Sequence, residues 1–157
     1  MVFAGCGKDP LTDPTGNWTA TLSATQPGSQ TTSLGFNVKL ATNANQATTA
    51  GYTQSTVTAT SLNFTTSGGC LSNTASVVAG FSSDPNSNMF AMTITGAGSS
   101  GSVNNVLQMQ GTLGTETIEG TWALNPSTPP TSGTSTCIAG GTFTMKLVSG
   151  TPLKKGM

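Results

Sequence analysis

Gly16-Asn17-Trp18-Thr19-Ala20-Thr21-Leu22-Ser23-Ala24 sets Trp18, Ala20, Leu22 and Ala24 on one side of an extended chain, with Thr19, Thr21 and Ser23 on the other. Successive side chains of a strand point to opposite faces, so the stretch reads as a β-strand with one apolar face and one hydroxyl-bearing face. The period of two recurs along the chain. Leu34, Phe36, Val38 and Leu40 carry it, as do Val77, Ala79 and Phe81, then Phe90, Met92 and Ile94. Leu107, Met109 and Leu113 continue it, followed by Ile118, Trp122 and Leu124, and by Phe143, Met145 and Leu147. An eighth segment, residues 57–64, switches parity between Ala59 and Leu62, which predicts a bulge. No segment carries a helical period.

Turn signals separate these runs: Gln26-Pro27-Gly28-Ser29, Asn43-Ala44-Asn45-Gln46, Asp84-Pro85-Asn86-Ser87-Asn88 and Gly96-Ala97-Gly98-Ser99-Ser100-Gly101. A Pro-rich loop is expected over residues 125–135. The short connections favour hairpins. The expected fold is therefore all-β, a single antiparallel up-and-down barrel of about eight strands, with an open barrel or a β-sandwich as the alternative. Gly16-Asn17-Trp18, Gly35-Phe36, Gly120-Thr121-Trp122 and Gly141-Thr142-Phe143 each put Gly just before an aromatic, which reads as a strand-start signal with the aromatic in the core.

The chain has 157 residues, enough for one domain with a real core. Charged residues make up only 6%, five bases against five acids, with no His and no Arg. Nucleic-acid binding draws on clustered Lys and Arg to neutralise phosphates, and five scattered lysines do not supply it. Attraction to anionic lipid fails for the same reason. Disorder is a poor reading, because 34% of the residues are hydrophobic and recur with a period.

A Ser–His–acid triad is excluded for lack of His. Gly-x-Ser-x-Gly, Ser-x-x-Lys and phosphate-cradling loops are absent from the sequence. Glu116 and Glu119 form the one close carboxylate pair, but on one strand their spacing sends them to opposite faces, so they could not flank one glycosidic bond. Glu116 shares parity with Ile118 and Trp122 and is therefore expected to face inward. Asp84-Pro85-Asn86-Ser87-Asn88 begins like a calcium loop but lacks the Gly at Met89 and the Glu at Thr95. The cysteines have no Cys-x-x-Cys spacing. No enzyme activity, cofactor or metal site is expected.

The amino-terminal Phe3-Ala4-Gly5-Cys6 resembles a bacterial lipobox, in which small residues precede a Cys that is lipidated, although Phe3 stands where Leu is usual. The charged and apolar regions of an export signal are not among residues 1–5. With Cys6 given to lipid, Cys70 and Cys137 form an even pair, either a disulfide suited to an oxidising compartment or two free thiols, and the even count favours the disulfide.

Gly16-Asn17-Trp18 ahead of an eight-strand pattern resembles the Gly-x-Trp opening of lipocalin or calycin barrels, where the Trp closes one end. The Arg that packs on that Trp in the family has no counterpart here. More closely, Cys6, Gly16-Asn17-Trp18, Cys70, Gly120-Thr121-Trp122, Cys137-Ile138-Ala139-Gly140 and Gly141-Thr142-Phe143-Thr144 resemble lipocalin-like bacterial lipoproteins of unknown function found in acidobacterial genomes. The resemblance implies a chain lipid-anchored in the cell envelope, at its periplasmic or outer-membrane face. It divides into a lipobox remnant and flexible tether at 1–15, a barrel at 16–150 and a disordered tail at 151–157.

Two functions follow as expectations. The barrel could bind a small apolar or amphipathic ligand among Phe36, Phe90, Met92, Met109, Trp122, Phe143 and Met145, since Met adapts to varied guests. Alternatively those side chains fill the barrel. The protein is then a structural, interaction or carbohydrate-contacting surface protein whose partner the sequence does not name.

Overall fold

A computed structural model of the chain describes residues 14–31, 33–49, 52–83, 88–98, 104–127 and 137–149. Cys6, the sequence's turn at 84–87, much of the Pro-rich loop and the tail lie outside the described residues. Among the described residues there are eight strands and no helix: β1 (Gly16–Ala24), β2 (Ser33–Thr49), β3 (Tyr52–Thr66), β4 (Ser76–Ser83), β5 (Asn88–Ala97), β6 (Asn104–Leu113), β7 (Thr117–Pro126) and β8 (Ala139–Ser149). Each pairs antiparallel with the next, and β8 returns to β1, so the sheet closes into an up-and-down barrel. Closure leaves no free edge of the kind that an open barrel or a sandwich exposes.

Alternation decides which side of the wall each residue takes. Trp18, Ala20 and Leu22 on β1 are buried, while Asn17, Thr21 and Ser23 are exposed. The same holds for Phe90, Met92 and Ile94 on β5 and for Leu107, Met109 and Leu113 on β6. The bulge expected in residues 57–64 is present. Asn37 faces Asn63 and Lys39 faces Thr60, two steps on β2 against three on β3, and Ser61 takes the left-handed φ of 55°. That extra residue restores the inward direction to Leu62 and Phe64. The Phe64 ring meets Phe36 edge-on, with centroids 5.5 Å apart.

Two sequence expectations fail here. Asn43-Ala44-Asn45-Gln46 makes no turn; it lies inside β2, and the register shift between Thr42 and Gln46 absorbs the surplus residues. Asn43 is held to β3 by its side chain, which donates to Thr56 Oγ1 at 2.7 Å and accepts from Thr58 Oγ1 at 2.9 Å. Cross-strand bonding therefore overrides a locally turn-like composition. The Gly-aromatic phrase marks a strand start only in part. Gly16 opens β1, but Gly120 sits inside β7 opposite Gly111.

One seam is shorter than the others. β3 pairs with β4 only from Thr53 to Val57, although β3 runs on to Thr66 and β4 begins at Ser76. Beyond Val57 the connection leading into β4 is tied to β3 by a side chain: Asn73 accepts from the Phe64 amide at 2.7 Å and donates to Asn63 Oδ1 at 3.0 Å.

Candidate functional site: interior, mouths and outer wall

The seven side chains proposed for an apolar site all face inward, and none is more than 3% exposed. Neighbouring strands set them in rows: Met92 faces Met109, which faces Trp122. In the next row Phe90, Gly111, Gly120 and Phe143 follow one another, and a Cβ on Gly111 would come within 2.8 Å of the Phe143 ring. The absent side chain at Gly111 thus makes room for the Phe143 ring, while Gly120 lets β7 approach the backbone of Gln110 and Gly111 closely. The Trp122 indole N–H is satisfied by the carbonyls of Thr142 at 3.0 Å and Ser23 at 3.2 Å.

A void wide enough for a water molecule would leave accessible surface on the side chains around it. Leu22, Phe36, Leu40, Ile94, Leu107, Ile118, Leu124 and Met145 have none. Around these side chains the interior is occupied by the protein itself.

The two mouths are closed differently. Where β1 begins, Trp18 is buried and its indole N–H donates to the Pro14 carbonyl at 2.7 Å. At the other mouth, residues 67–75 connect β3 to β4. Gly68 and Gly69 take positive φ, of 59° and 75°, and turn the chain inward, so that Cys70 and Leu71 join the buried core. Asn105, itself buried on the inner face of β6, donates to the Cys70 carbonyl at 2.8 Å. Gly98 at the end of β5 lies so close that a Cβ there would run into the backbone of Gly69 and Cys70.

Cys70 is bonded to Cys137, which precedes β8. In barrel order the β3–β4 connection lies opposite the β7–β8 connection, so the disulfide spans the mouth. Leu71 and Asn105 were not singled out from sequence. An isolated Leu within a Ser/Gly/Asn loop, and an Asn sharing parity with Leu107, were the available signals.

The outer wall is covered by hydroxyls and amides. One depression, about 600 Å³ and open to solvent, lies over Gly80 and Ala91, with Gln54, Thr56, Ser82 and Gln110 around it. A second, about 450 Å³, is lined by Gln108, Gln110, Thr121 and Thr142 among others. The large apolar residues exposed on the described surface are Val78, Met89, Ile138 and Val148, none of them aromatic.

The inward reading of Glu116 is corrected. It lies in the turn between β6 and β7, where Gly114 N donates to the Thr117 carbonyl at 2.7 Å, and its side chain is exposed. Strand parity does not extend into a turn. Glu119 is exposed on the outer face of β7, so the two acids do not enclose a common site. No group of three or more metal-capable side chains occurs among the described residues.

Fold and geometry together define a closed, filled, eight-stranded antiparallel barrel with a polar, nearly uncharged exterior. Comparison of the chain with family models, curated proteins and solved structures found no match to any of the three.

Proposed function

We propose that the chain is a non-catalytic envelope protein, lipid-anchored through Cys6, whose packed barrel presents its outer wall to a protein partner. The observation that carries this reading is the occupied interior. Phe36, Met92 and Met145 have almost no accessible surface, which supports a bore filled by side chains rather than by a guest. The wall itself bears Thr, Ser, Gln and Asn outward and apolar side chains inward, the reverse of a lipid-facing barrel. Its grooves offer donors and acceptors without a field, which suits contact through hydrogen bonds and shape. The Cys70–Cys137 disulfide is compatible with an oxidising envelope compartment.

Photo-crosslinking in intact bacterial envelopes tests the reading. A crosslinker at Ala91, on the groove floor, should give a discrete adduct with another envelope protein, and one at buried Met92 should give none. Monomer alone from Ala91, or saturable uptake of a fluorescent fatty acid by the oxidised protein, would overturn it. The anchor is checked separately: Cys6→Ala should abolish radiolabelled palmitate incorporation and move the protein into the soluble fraction.

A further inference from the structure

The disulfide mouth and the short β3–β4 seam occupy the same corner of the barrel. Continuing the β3–β4 register past Val57 and Ala79 would set Thr58 against Val78, but no ladder pairing forms there. Of the seven partly buried apolar residues packed on the core, five flank this corner: Ala59, Leu62, Phe64, Ala75 and Val77. The other two, Ala24 and Leu147, lie away from it. Missing backbone pairing and leaking apolar surface coincide, and low local protection is expected where both occur.

Residues 67–75 roof this seam. They are secured by the Asn73 bridges, by Asn105 on the Cys70 carbonyl, and by the bond to Cys137 across the mouth. Cys70 and Leu71 are at once the plug and part of the filling, so displacing them unplugs the bore and removes core volume together.

We propose that residues 67–75 are a gate latched by the Cys70–Cys137 disulfide, and that reduction lets the gate swing out and the interior admit one linear apolar guest. The reductant is a dithiol. The Sγ–Sγ bond breaks, Cys70 and Cys137 each gain one electron and one proton to become thiols, and the dithiol is oxidised to its cyclic disulfide. A linear acyl chain fits the route because the seam is bounded by aliphatic side chains and Phe64 and carries no charged residue. The gate goes beyond the outer-wall reading, which needs only the closed form.

The experiment uses the full chain, oxidised and dithiol-reduced, with a dansyl-labelled medium-chain fatty acid as probe and hydrogen exchange read by peptide mass spectrometry. Reduction should raise exchange in residues 58–64 and 67–78 while the β1, β6 and β7 amides stay protected. It should also tighten probe binding about tenfold or more, with one probe per chain. Asn73→Ala in the oxidised protein should loosen the seam's amides without admitting the probe, which separates seam from latch. Exclusion of the probe by both forms overturns the gate, as does equal binding by both. Loss of protection in every strand on reduction also overturns it, because the disulfide would then be a staple for the whole fold. Probe uptake by the oxidised protein refutes the outer-wall reading as well; exclusion by the reduced protein refutes only the gate.

Discussion

Ser61 is the one described non-glycine residue with positive φ, and its place could be inferred from the parity switch between Ala59 and Leu62. An L-residue in the left-handed region carries roughly 1 kcal/mol of strain that Gly does not. Ser61→Gly should therefore raise the unfolding free energy read from urea denaturation by about 0.5 kcal/mol once the added freedom of the unfolded chain is subtracted. Asn105 makes the opposite case, a buried polar side chain that looks misplaced by pattern alone. Its amide satisfies the Cys70 carbonyl, so Asn105→Leu should leave that carbonyl without its donor. The expected cost is about 1–3 kcal/mol, read from chemical denaturation. A midpoint unchanged by Asn105→Leu would show that the bond adds nothing to the plug. Gly98 is a third such position: Gly98→Ala would push a Cβ onto the Gly69 and Cys70 backbone, and a loss of about 1–3 kcal/mol is expected.

At the scale of elements, strands proved more legible than the joints between them. Seven runs with period two stand as strands whose alternation matches their burial, because a half-buried strand has to alternate. The interval between Thr42 and Gln46 was misread because a bulged strand and a turn draw on the same Asn-rich composition. The length of the β3–β4 ladder was not legible at all. It depends on where residues 67–75 settle, and that is fixed by their contacts with Asn63 on β3 and with Asn105 and Cys137, the last two distant in sequence. The disulfide joins cysteines separated by 67 positions, and on the chain-entropy model its removal costs about 4 kcal/mol. Equilibrium unfolding of Cys70→Ala/Cys137→Ala should show that loss with the β-sheet circular dichroism retained in water.

Across the whole molecule, stability rests on apolar burial and the closed ladder, since ten charged residues in 157 cannot form an extensive ion-pair network. Raising NaCl from low salt to about 0.5 M should shift the unfolding free energy by less than about 0.5 kcal/mol, because the screened interactions are few and exposed. A large salt-dependent loss would reveal a charge network that the described residues do not contain. By itself the sequence determined the strand count, the inward set and the polar neutrality of the exterior, because the two-residue period is a local property of an extended backbone. Whether the barrel closes, whether its bore is filled, and how residues 67–75 plug one mouth were decided only in three dimensions. Closure, volume and a span across the mouth depend on residues far apart in the chain, and no local pattern encodes how their shapes and distances meet.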